Sequence, residues 1–131
     1  MKIEHIAIWV QDLELMKSFY QKYFNLISGE KYINEKKQLE SYFLTFEDGQ
    51  KTRIELMYNP EIIKLNKKTR AMISGLTHFA ISVQSKEKVD KMTNQLKQDG
   101  YKIIGNPRTT GDGYYESVVE DPEGNRVEIT I

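Results

Sequence analysis

The chain has 131 residues, enough for one compact domain and too few for two full-sized ones. Its 19 lysines and arginines balance 19 aspartates and glutamates, so the basic excess expected of a nucleic-acid or anionic-membrane protein is missing. Cysteine is absent, which excludes disulfides, thiolate metal sites and cysteine nucleophiles.

The opening Met1–His5 is charged and reads as the start of a strand, without the apolar stretch of a signal peptide. No run approaches the roughly 18 apolar residues of a membrane helix, so a cytoplasmic protein is expected, without membrane or nucleic-acid partners. Ile3–Val10 has strand composition. Leu13–Asn25 carries Leu15, Met16, Phe19, Tyr20 and Tyr23 at the spacing of an amphipathic helix. Three shorter strands are expected near Glu30–Ile33, Glu40–Glu47 and Lys51–Tyr58, with Gly49 at the last turn. Residues 59–74 read as a linker. They hold the one visible basic cluster, Lys64, Lys67, Lys68 and Arg70, read as a solvated stretch. Leu76–Val83 is again a strand. Lys86–Asp99 is a helix with Val89, Met92 and Leu96 on one face, stopped by Gly100. Strands near Lys102–Ile104, Tyr114–Glu120 and Asn125–Ile131 follow, the last two joined by a turn at Asp121–Gly124.

The second half repeats the first. Ile3–Gln11 reads IEHIAIWVQ and Leu76–Gln84 reads LTHFAISVQ. Glu47–Leu56 reads EDGQKTRIEL and Glu120–Ile129 reads EDPEGNRVEI. Both pairs, and Tyr42 with Tyr115, share one offset of 73 (78 − 5 and 128 − 55). Two segments sharing an offset without gaps point to a duplication, with one module at residues 1–58 and the other at 75–131. Each module is expected to run βαβββ, an α+β arrangement.

Alternation along the strands puts His5, Ala7 and Trp9 on one face and Ile6, Ile8 and Val10 on the other. His78, Ala80 and Ser82 likewise oppose Phe79, Ile81 and Val83. On the last strand of each module, Glu55 opposes Ile54 and Leu56, and Glu128 opposes Val127 and Ile129. The only two histidines in the chain therefore stand in register, each with a carboxylate at a duplicated position. A carboxylate on a mostly apolar strand needs a partner to offset its desolvation. Arg53 and Arg126, two residues earlier on the same faces, are one choice of partner. A divalent cation held by His5, Glu55, His78 and Glu128 is the other. Such nitrogen and oxygen donors suit Zn²⁺, Ni²⁺, Co²⁺, Mn²⁺ or Fe²⁺ rather than Ca²⁺.

These features resemble the vicinal oxygen chelate superfamily, also called the glyoxalase/bleomycin-resistance/dioxygenase superfamily. The resemblance covers essentially the whole chain. It rests on the His-x-Ala-x-x-Val opening strand of both halves, the Asp-Pro-Glu-Gly-Asn-x-x-Glu ending and the duplicated βαβββ unit. It implies a single domain of two modules whose eight strands form curved, partly open, barrel-like sheets with helices outside. Within the superfamily the chain looks most like glyoxalase I, whose ligands His, Glu, His and Glu map onto His5, Glu55, His78 and Glu128. The implied activity is a metal-dependent lyase or isomerase reaction, a proton transfer beside the chelated carbonyl of a 2-oxoaldehyde–thiol adduct. Glu128 is the preferred base and Glu55 the other candidate. An acyl-CoA epimerase, an iron-dependent dioxygenase and a non-catalytic drug-binding protein are the other activities the superfamily implies.

The segment Glu55–Asn59 also resembles glyoxalase I, where the asparagine lies near the glutathione part of the substrate. Trp9 stands where bacterial glyoxalase I has an arginine, and it cannot make that residue's charge-assisted contact with a carboxylate. Arg108 is a candidate receiver for an anionic group, and Tyr114 and Tyr115 are candidate pocket residues. Trp9, Asn59, Arg108, Tyr114 and Tyr115 are thus the expected substrate-binding set. The partner implied is a small molecule, and the resemblance further implies a homodimer.

Overall fold

A computed structural model describes residues 1–47, 49, 51–66, 69 and 72–131. Lys67, Lys68 and Arg70 of the basic cluster, and Asp48 of the repeated segment, lie outside the described residues. The chain divides into two compact units, Met1–Lys64 and Leu65–Ile131.

The first unit runs β1 (His5–Trp9), α1 (Leu13–Phe24), β2 (Leu26–Ser28), β3 (Tyr32–Asn34), a single helical turn at Glu35–Lys37, β4 (Leu39–Phe46) and β5 (Arg53–Tyr58). The second runs β6 (His78–Ser82), α2 (Lys86–Gln98), β7 (Ile103–Thr109), β8 (Tyr115–Glu120) and β9 (Arg126–Thr130). Among the described residues this makes nine strands in two open sheets, rather than the eight expected. The fold is α+β, as the sequence indicates.

The extra strand has a local cause. The single strand expected near Glu30–Ile33 is two short ones, β2 and β3, both antiparallel to β4. Residues 29–31 interrupt them, although Gly29 still donates its N–H to the Phe43 carbonyl at 2.9 Å. The sheet of the first unit has the order β1-β5-β4-β2, with β3 on the same β4. The second unit's sheet has the order β6-β9-β8-β7. β7 is longer than expected and takes in Arg108 and Thr109.

Both helices begin on the caps their sequences supply. The Asp12 carboxylate accepts the Leu15 N–H at 2.9 Å, and the Ser85 hydroxyl accepts the Lys88 N–H at 3.2 Å. α1 ends at Asn25, which takes the left-handed conformation at φ 53°. The buried stripe of α1 is Leu13, Met16, Phe19, Tyr20 and Phe24. Leu15, expected on that face, is exposed. Burying Met16 or Tyr20 completely is worth roughly 2 kcal/mol each. The helix lies against β4 and β5, whose Leu44, Ile54 and Leu56 are likewise buried. In α2 the fully buried residues are Val89, Thr93 and Leu96, with Thr93 taking the place expected of Met92. The Thr93 hydroxyl is satisfied within the core, lying 2.7 Å from the Val89 carbonyl and 2.6 Å from the Ser117 hydroxyl.

The duplication is visible in strand register. β1 runs parallel to β5 with Ala7 opposite Glu55, and β6 runs parallel to β9 with Ala80 opposite Glu128. The offset of 73 therefore holds on both strands. It does not hold on the neighbouring one. Tyr42 lies opposite Leu56 on β5, whereas Ser117, not Tyr115, lies opposite Ile129 on β9. The alignment of Tyr42 with Tyr115 is thus a sequence coincidence displaced by two residues in the sheet.

The Asp121–Gly124 turn locks β8 to β9. Asp121 is buried; one carboxylate oxygen accepts the N–H groups of Glu123 and Asn125 at 3.0 and 2.8 Å. Its other oxygen accepts the Asn125 amide at 2.7 Å. Gly124 closes the turn at φ 87°. Replacing Asp121 by alanine strips several charge-assisted bonds from buried groups at once. A loss of about 3 kcal/mol in urea unfolding is expected, and a loss below about 1 kcal/mol would refute this role. Among the described residues, no helix is long and apolar enough to cross a membrane.

Candidate active site

Each unit brings together one imidazole and one carboxylate in the same way. In the first unit His5 Nε2 lies 3.7 Å from Glu55 Oε2. In the second, His78 Nε2 lies 3.3 Å from Glu128 Oε2. The histidines are partly open, at 39% and 44% side-chain exposure, and the carboxylates are largely covered, at 13% and 16%. The apolar residues alternating with them, Ile8, Ile54 and Leu56 in one unit and Phe79, Ile81, Val127 and Ile129 in the other, are buried. The pattern is that of a sheet with a helix on one face and a polar patch on the other.

The residue before each histidine orients its ring. The Glu4 carboxylate holds His5 Nδ1 and is itself paired with Arg53. The Thr77 hydroxyl lies 2.9 Å from His78 Nδ1. With its Nδ1 tied in this way, each ring turns Nε2 toward a carboxylate. A neutral ring protonated at Nδ1 then presents a lone pair to an acceptor oxygen. A proton on Nε2 or a cation between the two groups relieves that repulsion. This donor set, with outer partners on the imidazoles, fits a divalent cation.

The arginines do not supply the partner that the sequence left open for Glu55. Arg53 turns to Glu4, and its guanidinium lies 4.0 Å over the Phe43 ring. Arg126 Nε is buried with no hydrogen-bond partner among the described residues. Among those residues, too, no group of three or more His, Asp or Glu side chains is gathered as a metal-binding cluster. What the described residues gather is one His–Glu pair in each unit.

Glu128 has a further neighbour. Burial raises its carboxyl above the ordinary carboxylate range, and the nearby Glu116 carboxylate adds to the rise. Glu116 is buried and bonded to Arg108, whose Nη2 donates to its Oε1 at 3.1 Å. Glu116, Glu4 and Thr77 were not singled out from sequence. Alternation along β8 would have found Glu116, since it shares the face of Val118, the register partner of Glu128.

The other expected substrate residues fall in different places. Trp9 is half-exposed on the His5 face. Asn59 is engaged on both sides of its amide: it donates to the Lys37 carbonyl at 2.8 Å and accepts the Glu61 N–H at 2.9 Å. It braces a turn. Tyr114 is exposed in the β7–β8 turn, where its carbonyl accepts the Thr110 N–H at 2.8 Å. Tyr115 points to the helix side of β8. Its hydroxyl donates to Asp90 at 2.8 Å, and Lys86 lies 5.0 Å over its ring. This is the side opposite Glu116 and Glu128.

A family model for the glyoxalase/bleomycin resistance protein/dioxygenase superfamily matches residues 2–129. The chain belongs to this superfamily. The Bacillus subtilis (strain 168) protein YqjT is 30% identical over 139 residues, spanning 97% of this chain and 96% of its own. Glyoxalase I from Zea mays shares 25% identity with a TM-score of 0.78 over 98% of this chain, which spans only 44% of the maize chain. A glyoxylase/bleomycin resistance protein/dioxygenase domain from Frankia, at 14% identity, has a TM-score of 0.82 over 100% of this chain and 97% of its own. That last likeness speaks for the fold alone. In this chain the His–Glu pair of each unit stands at matching register.

Proposed function

We propose that the protein is a glyoxalase I-like, metal-dependent lyase or isomerase. In this reading His5, Glu55, His78 and Glu128 together hold one divalent cation, of Ni, Zn, Co, Mn or Fe. The observation that carries it is the repeated pair itself: an imidazole Nε2 facing a covered carboxylate, at the same register, in both units. Two carboxylates balance a 2+ charge, and two imidazoles complete four donors. Two copies of the chain forming a homodimer, each site drawing on both, accord with the same donor set.

The cation's contribution would be Lewis acidity toward a carbonyl oxygen of a small-molecule substrate. The chain's own residues do the rest. Glu4 and Thr77 keep both Nε2 atoms aimed. Glu128 takes a proton from the carbon beside the carbonyl and returns it to the neighbouring carbon, with Glu55 as the alternative carrier. The covering of Glu128 favours this, because a raised carboxyl is a better base once ionised. The substrate class is a 2-oxoaldehyde joined to a thiol carrier, and the product a 2-hydroxyacyl thioester.

The test is elemental analysis of the purified protein, followed by methylglyoxal with several thiols. About one metal equivalent per site and thioester formation without oxygen uptake are expected. Oxygen consumption would instead indicate a dioxygenase, and epimerisation of acyl-CoA thioesters an epimerase. Tight drug binding by metal-free protein would remove the enzymatic reading altogether.

A further inference from the structure

Beside His78 and Glu128 the second unit carries a structure that the first unit lacks. Glu116 lies opposite Thr130, and the position matching it by register in the first unit is Ser41, opposite Met57. The duplicated pattern is broken here by a carboxylate and its arginine.

Several features of β7 combine to place that arginine. The strand shifts register twice, between Ile103 and Gly105 and again between Gly105 and Arg108. Irregularities of this kind re-aim side chains. Pro107 sits within the strand, tolerated because β7 is an edge of the sheet and its neighbours need no N–H there. Arg108 thereby comes directly opposite Glu116. Gly105 provides the seat. It is not among the residues with positive φ, so its backbone conformation does not require glycine. A Cβ built on it would lie 2.5 Å from Arg108 Nη1, and the missing side chain is the space the guanidinium occupies. Arg108 is 52% exposed while Glu116 is 12% exposed, so the pair is anchored at the acid and open at the base.

We propose that Arg108, anchored by Glu116 and seated over Gly105, binds a remote anionic group of the substrate processed at the His78–Glu128 pair. The inference rests on the reading that this pair belongs to the reaction centre. A guanidinium has five N–H donors, and one bond to Glu116 leaves a fork for a carboxylate or phosphate oxygen pair. β7 lies two strand spacings from β9, roughly 10 Å. The anionic group is therefore several bonds away from the reacting carbons, on the carrier tail rather than on the aldehyde. Arg108 is a specificity-determining residue, and Gly105 and Glu116 are positioning residues.

The experiment is an NMR titration of the full chain with four S-methylated carriers. N-acetylcysteine bears a carboxylate and N-acetylcysteamine does not; 4′-phosphopantetheine bears a phosphate and pantetheine does not. At least one acid probe is expected to bind tenfold or more tighter than its neutral counterpart, shifting the amides of Gly105 and Arg108. Which acid does so tells carboxylate from phosphate. Arg108→Gln should erase that margin, Arg108→Lys should keep part of it, and Gly105→Ala should cut it several-fold by pushing the guanidinium off its seat. Equal or absent binding of acid and neutral probes, or a margin that survives Arg108→Gln, overturns the proposal. Turnover of methylglyoxal with the free thiols is measured in parallel. No turnover with the margin intact refutes the lyase reading alone, since the anion site is then still present.

Discussion

Replacing His78 or His5 by alanine is expected to lower metal affinity by more than the 10–100-fold typical of losing an outer partner of a ligand. Each substitution removes one of four proposed donors and leaves a covered carboxylate, Glu128 or Glu55, without its imidazole. Competition with a chelator, read by elemental analysis, measures the loss. Thermal unfolding gives a second readout. Metal that binds only the folded chain raises the midpoint of the parent protein in proportion to the logarithm of its concentration, and the variants should show little of this rise. Glu4→Gln provides an internal scale, because its link to the proposed donors runs through the His5 ring, its other partner being Arg53. It should fall within the 10–100-fold range, well short of His5→Ala. Undiminished uptake by His5→Ala would remove the first unit from the metal centre, and the duplicated pair would there be only a surface ion pair.

The parts of this fold that were legible in sequence are those governed by short-range rules. Both helices were legible from the spacing of their apolar residues, and in the structure they start where the Asp12 and Ser85 side chains satisfy the first free N–H groups. The two histidine strands, and the two glutamate strands, could be matched between the halves because one offset served both; in the structure each histidine strand runs parallel to the glutamate strand of its own unit, in the same register. The misreadings arise where a partner strand decides. Nothing local to Leu26–Ser28 shows that it will pair with Leu44–Phe46 ahead of the Gly29 break. The displacement between Tyr42 and Tyr115 comes from the register of β4 and β8 against their neighbours, which an ungapped repeat cannot reveal. Tyr115 is near Arg108 in sequence, but Arg108 belongs to the end of β7, and strand alternation sends the two side chains to opposite faces. The Arg108–Glu116 pair depends on two register shifts that only the assembled sheet contains.

Glu128→Gln is expected to separate chemistry from stability, with opposite signs. A proton carrier contributes about 10²–10⁴-fold to turnover, and glutamine, of the same shape, can neither take nor return the proton. Turnover should fall by that factor, with KM changing little. Metal should still bind more tightly than in His78→Ala, through the amide oxygen and the remaining donors. The metal-free protein should respond the other way. Burial, with Glu116 adding to it, raises the Glu128 carboxyl above its unfolded value, so the folded state favours the protonated form. For such a group the ionised form destabilises the fold at neutral pH, and that penalty disappears as pH falls below the ordinary carboxylate range. Without metal, Glu128→Gln should therefore be more stable than the parent at pH 7, and the difference should close in acid. Urea unfolding at both pH values, with and without metal, reads this directly. Excess metal should shrink or reverse the advantage at pH 7, because the parent regains through its carboxylate what the variant gained by losing the charge. A variant less stable than the parent at pH 7 without metal would mean that Glu128 is already compensated by His78 alone, and the case for a cation there would lose its physical basis.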